Sequence, residues 1–182
     1  MSRLPNSYIE VLRAPSGDFA EMVDALLAQV PAVVTPLRLT FFGRPSSNKM
    51  YMERWQLLRQ KVAARFGKSI PALSYIAQPP LDAPLLLELY GCRLREGDQL
   101  TYGETAETPY VLLRTDVGRF LFTGGFRGDT LDLSIEQQTE QAFLHLEETL
   151  RETGFPLSSI LRQWNYIEGI TVFAGTDQHY QA

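Results

Sequence analysis

Residues 108–170 constrain the fold of this chain more than any other stretch, because the spacing of their apolar residues changes part-way along. Pro109-Tyr110-Val111-Leu112-Leu113 and Arg119-Phe120-Leu121-Phe122-Thr123 are short alternating apolar runs, the period-two signal of strands. They end at Gly124-Gly125. A 3.6-residue period then predicts an amphipathic helix over 134–153. Ser134 and Gln137 supply its capping box, Ala142, Phe143, Leu146 and Leu150 its apolar stripe, and Gly154 its stop. A last apolar run over 160–170 predicts one more strand. The grammar is strand, strand, helix, strand.

The region before it reads just as regularly. Tyr8-Ile9-Glu10-Val11-Leu12 predicts a strand ended by Pro15-Ser16-Gly17. A helix over 18–30 follows, with Asp18 and Glu21 as a capping box and Phe19, Met22, Val23, Leu26 and Leu27 on one face. Pro31 stops it, and Leu37-Arg38-Leu39-Thr40-Phe41-Phe42-Gly43 predicts the next strand. A second helix over 47–66 carries Tyr51, Trp55, Leu58, Val62 and Phe66 at three- and four-residue steps, with Gly67 beyond its end. Residues 72–77 and 85–90 predict two antiparallel strands joined by a proline-rich connection. Residues 93–107 are polar, contain Gly97 and Gly103 and lack apolar periodicity, so they read as a connector. The fold class is α+β: a mixed sheet with helices packed on one face.

Composition narrows the function classes. The chain has 182 residues, 45% hydrophobic and 21% charged, which suits one ordinary globular domain or two small ones. A net charge of −4 argues against the concentrated basic surface of a nucleic-acid binder. Arg54, Arg59, Lys61 and Arg65 are interleaved with apolar positions and read as the solvated face of the second helix. No apolar run reaches the ~20 residues that span a bilayer, and the N-terminus lacks a signal-peptide apolar core. One cysteine, Cys92, excludes an intramolecular disulfide framework. These features together imply a cytoplasmic protein without nucleic-acid or membrane partners. His145, His179 and Cys92 show no metal-ligand spacing, and no Walker loop, Rossmann fingerprint or nucleophile elbow occurs, so neither metal nor cofactor is expected.

The strand, strand, helix, strand order around Tyr110 and Thr123-Gly124 resembles the first half of a RidA/YjgF-type domain, the reactive-intermediate deaminase family also named for an endoribonuclease. Such a domain continues with a second helix and two strands, where this sequence reaches Gln181-Ala182; Thr176 or Asp177 is placed to cap the start of that helix. Pro71-Ala72-Leu73-Ser74 resembles the family's Pro-Ala-Arg-Ser signature, and Leu85-Leu86-Leu87-Glu88 its final Glu-rich strand. Residues 1–92 therefore look like a degenerate RidA-like unit, 93–107 like a connector, and 108–182 like the front half of a second unit packed with the first as one body. The tandem resembles the chorismatase family, which cleaves the enolpyruvyl ether of chorismate. Leu161-Arg162-Gln163-Trp164-Asn165-Tyr166 and the terminal Gln178-His179-Tyr180-Gln181-Ala182 strengthen that likeness. The implied fold is RidA-like or chorismate-mutase-like, and the implied assembly is a homotrimer with sites between subunits.

The resemblance also implies site residues. The family arginine that binds substrate carboxylate falls at Leu73, which can donate nothing. The carboxylate of the last strand falls at about Leu86, with Glu88 just beyond. Tyr110 matches a pocket-lining tyrosine, and Thr123-Gly124 match a Ser-Gly whose backbone faces ligand. Glycine there allows close approach and exposes amide donors, or else simply ends a strand in a tight turn. Arg162 can supply a cation or point to solvent. Glu168 is the candidate acid or base by its place at a strand end, and an inert surface carboxylate otherwise. Cys92 reads as a buried thiol, and Trp55 and Trp164 as core residues. The expected function is a RidA/chorismatase-like protein of small carboxylate metabolites, inactive as the chain stands; the alternative is a non-catalytic binding or assembly module of the same fold.

Overall fold

The structure, a computed structural model, describes residues 6–167 together with 173–174 and 177–178. The chain divides into two compact units, Met1–Gly125 and Phe126–Ala182. The architecture is mixed α+β, and among the described residues no helix is long and apolar enough to cross a membrane.

The first unit opens with β1 (Ser7–Arg13), α1 (Phe19–Gln29), β2 (Thr35–Gly43), α2 (Asn48–Phe66), β3 (Ala72–Ile76) and β4 (Leu85–Cys92). Both helices begin where side-chain oxygens satisfy orphan amides. Asp18 accepts from the Glu21 amide at 2.8 Å while Glu21 accepts from the Asp18 amide at 3.1 Å, and Ser47 accepts from the Met50 amide at 3.1 Å. Gly67, at φ 61°, ends α2 in a region that glycine enters without steric cost.

The four strands form one mixed sheet in the order β1-β4-β2-β3. β4 pairs antiparallel with both β1 and β2, and β2 runs parallel to β3. Side chains alternate across the sheet. Leu39 and Phe41 of β2, Leu73 and Tyr75 of β3, and Leu85, Leu87 and Leu89 of β4 are buried in one core with Val23 and Leu26 of α1 and Trp55, Leu58 and Val62 of α2. Both helices thus cover one face of the sheet.

A second sheet follows in the same unit, ordered β5-β6-β7: β5 (Gln99–Thr105), β6 (Thr108–Thr115) and β7 (Gly118–Phe122). The stretch read as a connector therefore carries a strand, and the division of the chain falls after Gly125 instead. Gln99-Leu100-Thr101-Tyr102 alternates too weakly for a local signal; its order comes from the ladder to β6, which runs from Gln99↔Arg114 to Thr105↔Thr108. Val111 and Leu113 of β6, with Leu100, Tyr102, Phe120 and Phe122, pack on Leu37 and Cys92 of the first sheet. Leu37 reaches this second core because the β2–β4 register shifts between Pro36 and Arg38, a bulge of the kind proline favours.

The second unit contains α3 (Ile135–Thr153), a 3₁₀ turn at Leu157–Ser159 and the short antiparallel pair β8 (Phe173–Ala174) and β9 (Asp177–Gln178). The expected caps are present. Ser134 and Gln137 form the reciprocal box, and Gly154 at φ 69°, ψ 38° closes the helix while the Phe155 amide donates to the Leu150 carbonyl at 2.9 Å. The strand expected over 160–170 is corrected: residues 161–167 adopt no regular structure, and 168–170 lie outside the described residues. A strand needs a ladder partner, and among the described residues none pairs with 161–167. Asp177 belongs to β9 rather than to a helix cap, and Thr176 lies outside the described residues.

The packing predicts a cooperative first unit. Phe41 is fully buried at the centre of the helix-side core, so Phe41→Ala should lower its unfolding free energy by about 3–5 kcal/mol. Urea denaturation followed by far-UV circular dichroism checks this value.

Candidate functional site

The face of the first sheet that carries no helix is the place where polar chemistry collects. Its residues stand in rows set by strand register. Ile9, Tyr90, Arg38 and Ala72 form one row; Val11, Glu88, Thr40 and Ser74 form the next; Arg13, Leu86, Phe42 and Ile76 form the third. Arg38 and Glu88 stand in adjacent rows on neighbouring strands. The Arg38 Nη2 donates to Glu88 Oε1 at 2.8 Å, with the two side chains 16% and 33% exposed, and the guanidinium carbon lies 5.7 Å from the centre of the Tyr90 ring. Thr40 and Ser74 are buried hydroxyls in the same patch.

The end of β7 walls this patch on one side. Phe122 packs on Tyr90 with ring centroids 5.6 Å apart. Thr123 Oγ1 is buried without a hydrogen-bond partner among the described residues. A Cβ at Gly124 would stand 2.6 Å from Ser74 Oγ, and one at Gly125 2.4 Å from the Leu73 carbonyl oxygen. Gly125 also has φ 82°, which disfavours any side chain. The two glycines thus let backbone lie directly against β3. Close approach is their structural role here.

Burial tunes the surrounding groups. It pushes the Tyr90 hydroxyl above its ordinary pKa, against the opposing effect of Arg38. It also raises the Cys92 thiol, helped by Asp98. A thiol kept protonated and 3% exposed is a poor nucleophile, in keeping with the structural reading of Cys92.

The expected site residues do not assemble into one constellation. Thr123 and Gly124 border the polar patch. Tyr110 lies across Gly103 on β5, where a Cβ would stand 2.3 Å from its ring; it projects to the opposite face of the second sheet from Val111. Arg162 belongs to the second unit and stacks on Trp164, 4.4 Å from the ring centre, with Trp164 45% exposed rather than in a core. Glu168 lies outside the described residues. Leu73, where the resemblance implies an arginine, is 1% exposed on the helix side of the sheet. The sequence does carry a signal for Arg38 and Thr40: they are polar residues on alternate positions of an otherwise apolar strand. Glu88 sits the same way inside Leu-Leu-Leu-Glu-Leu.

No family model, curated protein or solved structure matches this chain. The chemistry of the patch must be read from its own groups. A guanidinium fork with neighbouring hydroxyls suits a planar anion such as a carboxylate. Among the described residues no cluster of His, Cys, Asp and Glu has metal-binding geometry. A separate cleft of about 370 Å³ lies between α2 and β5, lined by Gln56, Arg59, Leu73 and Glu104 among others. Its cation is engaged twice, by Glu104 at 2.5 Å and Glu107 at 3.3 Å, which makes it a poor anion receptor.

Three measurements follow. A double-mutant cycle with Arg38→Met and Glu88→Gln should give a coupling of about 1 kcal/mol, between exposed and buried pairs. Gly125→Ala should cost about 2 kcal/mol, from positive φ and the contact with Leu73, read from its denaturation midpoint. Cys92 should resist thiol-specific reagents in native buffer and react on unfolding; fast native labelling would contradict its burial.

Proposed function

We propose that this chain is a RidA/chorismatase-like protein that binds a small carboxylate-bearing metabolite at the Arg38 patch without turning it over. The observation that carries the reading is the Arg38–Glu88 pair at 2.8 Å on the helix-free face, beside Thr40, Ser74 and the Thr123 hydroxyl. The element order strand, helix, strand, helix, strand, strand over residues 7–92 supports the RidA-like part of it. An incoming carboxylate shares the guanidinium with Glu88, since one planar fork can serve two oxygen acceptors at different edges. The hydroxyls donate to its remaining lone pairs.

Binding without turnover follows from what surrounds the cation. The position of the family's arginine is Leu73 in the helix-side core, so the substrate cannot be gripped there. Glu88, the carboxylate that could carry a proton, is held by Arg38 at 2.8 Å, and Thr40, Ser74 and Thr123 add only hydroxyls.

The test is a titration of the chain with 2-oxo acids, chorismate and the matching neutral amides, followed by amide chemical shifts. Saturable shifts at Thr40, Ser74, Thr123 and Gly124 are expected for the acids alone. Arg38→Met should weaken binding about tenfold or more, the loss of one charge-assisted contact. No saturable binding by any of these acids, or imine or chorismate turnover near the ~1–10³ s⁻¹ of ordinary enzymes, would overturn the proposal.

A further inference from the structure

The stripe of α2 beside its buried face meets the tip of the β5–β6 hairpin across a cleft. Trp55, Leu58 and Val62 lie in the core. Gln56, Arg59, Gln60 and Ala63 follow at helical spacing one position further on, and they line the cleft together with Glu104 of β5. Ala63 continues into an apolar floor of Ile70, Leu73 and Pro109. Leu73 faces the helix side of the sheet and its neighbour Ser74 the other, so β3 separates this cleft from the Arg38 patch. Its volume of about 370 Å³ is that of a small-molecule site and suits one ring with a short polar group.

The polar side of the cleft carries a surplus negative charge. Arg59 Nη2 donates to Glu104 Oε1 at 2.5 Å and Nη1 to Glu107 Oε2 at 3.3 Å, so one guanidinium faces two carboxylates. Each bond uses one oxygen, and Glu104 Oε2 and Glu107 Oε1 keep their lone pairs for another donor. Glu107 also stands in a strained place. Thr105 is registered on Thr108, and Ala106 and Glu107 between them turn the chain at φ 47° and 59°, positions that Asn-Gly usually fills. Left-handed backbone at residues with a Cβ is costly, and such strain clusters at ligand sites.

We propose that this cleft binds a small planar organic cation, an amidinium or guanidinium group carried on an apolar ring. The planar N–H fork directs charge-assisted bonds at the outward carboxylate oxygens. The ring lies on Ile70, Leu73 and Pro109, and the amide carbonyls of Gln56 and Gln60 accept from the remaining N–H groups. An anion of the same shape meets the surplus negative charge and has to displace a carboxylate from Arg59. A neutral amide keeps the ring contact and loses the charge. The ligand class is thus opposite in sign to that of the Arg38 patch, and the two sites are independent.

The experiment titrates the full chain with benzamidine, benzamide and benzoate, one ring bearing a positive, neutral or negative group, and follows the amide shifts of Ala63, Ile70 and Glu104. Benzamidine should give saturable shifts. Benzamide should need about three- to fivefold more ligand, the worth of a partly exposed ion pair, and benzoate should bind most weakly. Added salt should bring benzamidine toward benzamide. Glu107→Gln, at a side chain 77% exposed, should alone bring the two within about twofold. Combining it with Glu104→Gln leaves Arg59 as the one charge of the three and should reverse the order, with benzoate overtaking benzamidine. No saturable benzamidine shift at these amides, shifts confined to Thr40 and Ser74, benzoate matching benzamidine in the native chain, or an order that both variants leave intact would each overturn the proposal.

Discussion

Everything in the first unit depends on the insertion of β4 between β1 and β2. Until residues 85–92 arrive, β1 and β2 have no ladder between them, and α1 and α2 have no complete surface to cover. The phase of that strand also decides both faces at once. Leu85, Leu87 and Leu89 meet the helices, while Leu86, Glu88 and Tyr90 meet the other side. A slip of one residue would drive Glu88 under the helices and expose three leucines. The register is therefore enforced by burial and by charge together.

The same phase creates the chemistry. Arg38 and Glu88 are 50 residues apart in the chain and meet because Thr40 is registered on Glu88 and Arg38 on Tyr90. An arginine in a strand between two leucines would be costly beneath the helices, where it would have to lose its water. On the helix-free side it keeps a carboxylate, an aromatic face and partial exposure. The patch is thus a by-product of solving the core.

The second sheet shows how much a small residue can decide. The backbone that leaves its last strand passes against β3, and a Cβ at Gly125 would strike the Leu73 carbonyl. The Gly-Gly that resembles a ligand-facing turn is explained by backbone meeting backbone. Likewise the Tyr110 ring lies over Gly103, where there is no Cβ to displace it, on the face of the second sheet opposite Val111. Residues that looked like parts of one site are set apart by packing demands that no single segment contains.

The sequence by itself determined the helices, their caps and most strands of the first unit, because those signals are local. Asp18 with Glu21, Ser134 with Gln137, and glycines at 67 and 154 satisfy helix ends within a few residues, and alternation over 37–43 and 85–90 needs no outside information. Tertiary structure decided the rest. It made a strand of Gln99–Thr105 by giving it β6, and left 161–167 irregular despite their apolar residues. It joined Arg38 to Glu88. The reason is physical: a helix bonds to itself, whereas a strand is defined only by its neighbour, and the choice of neighbour is a long-range property of the folded chain.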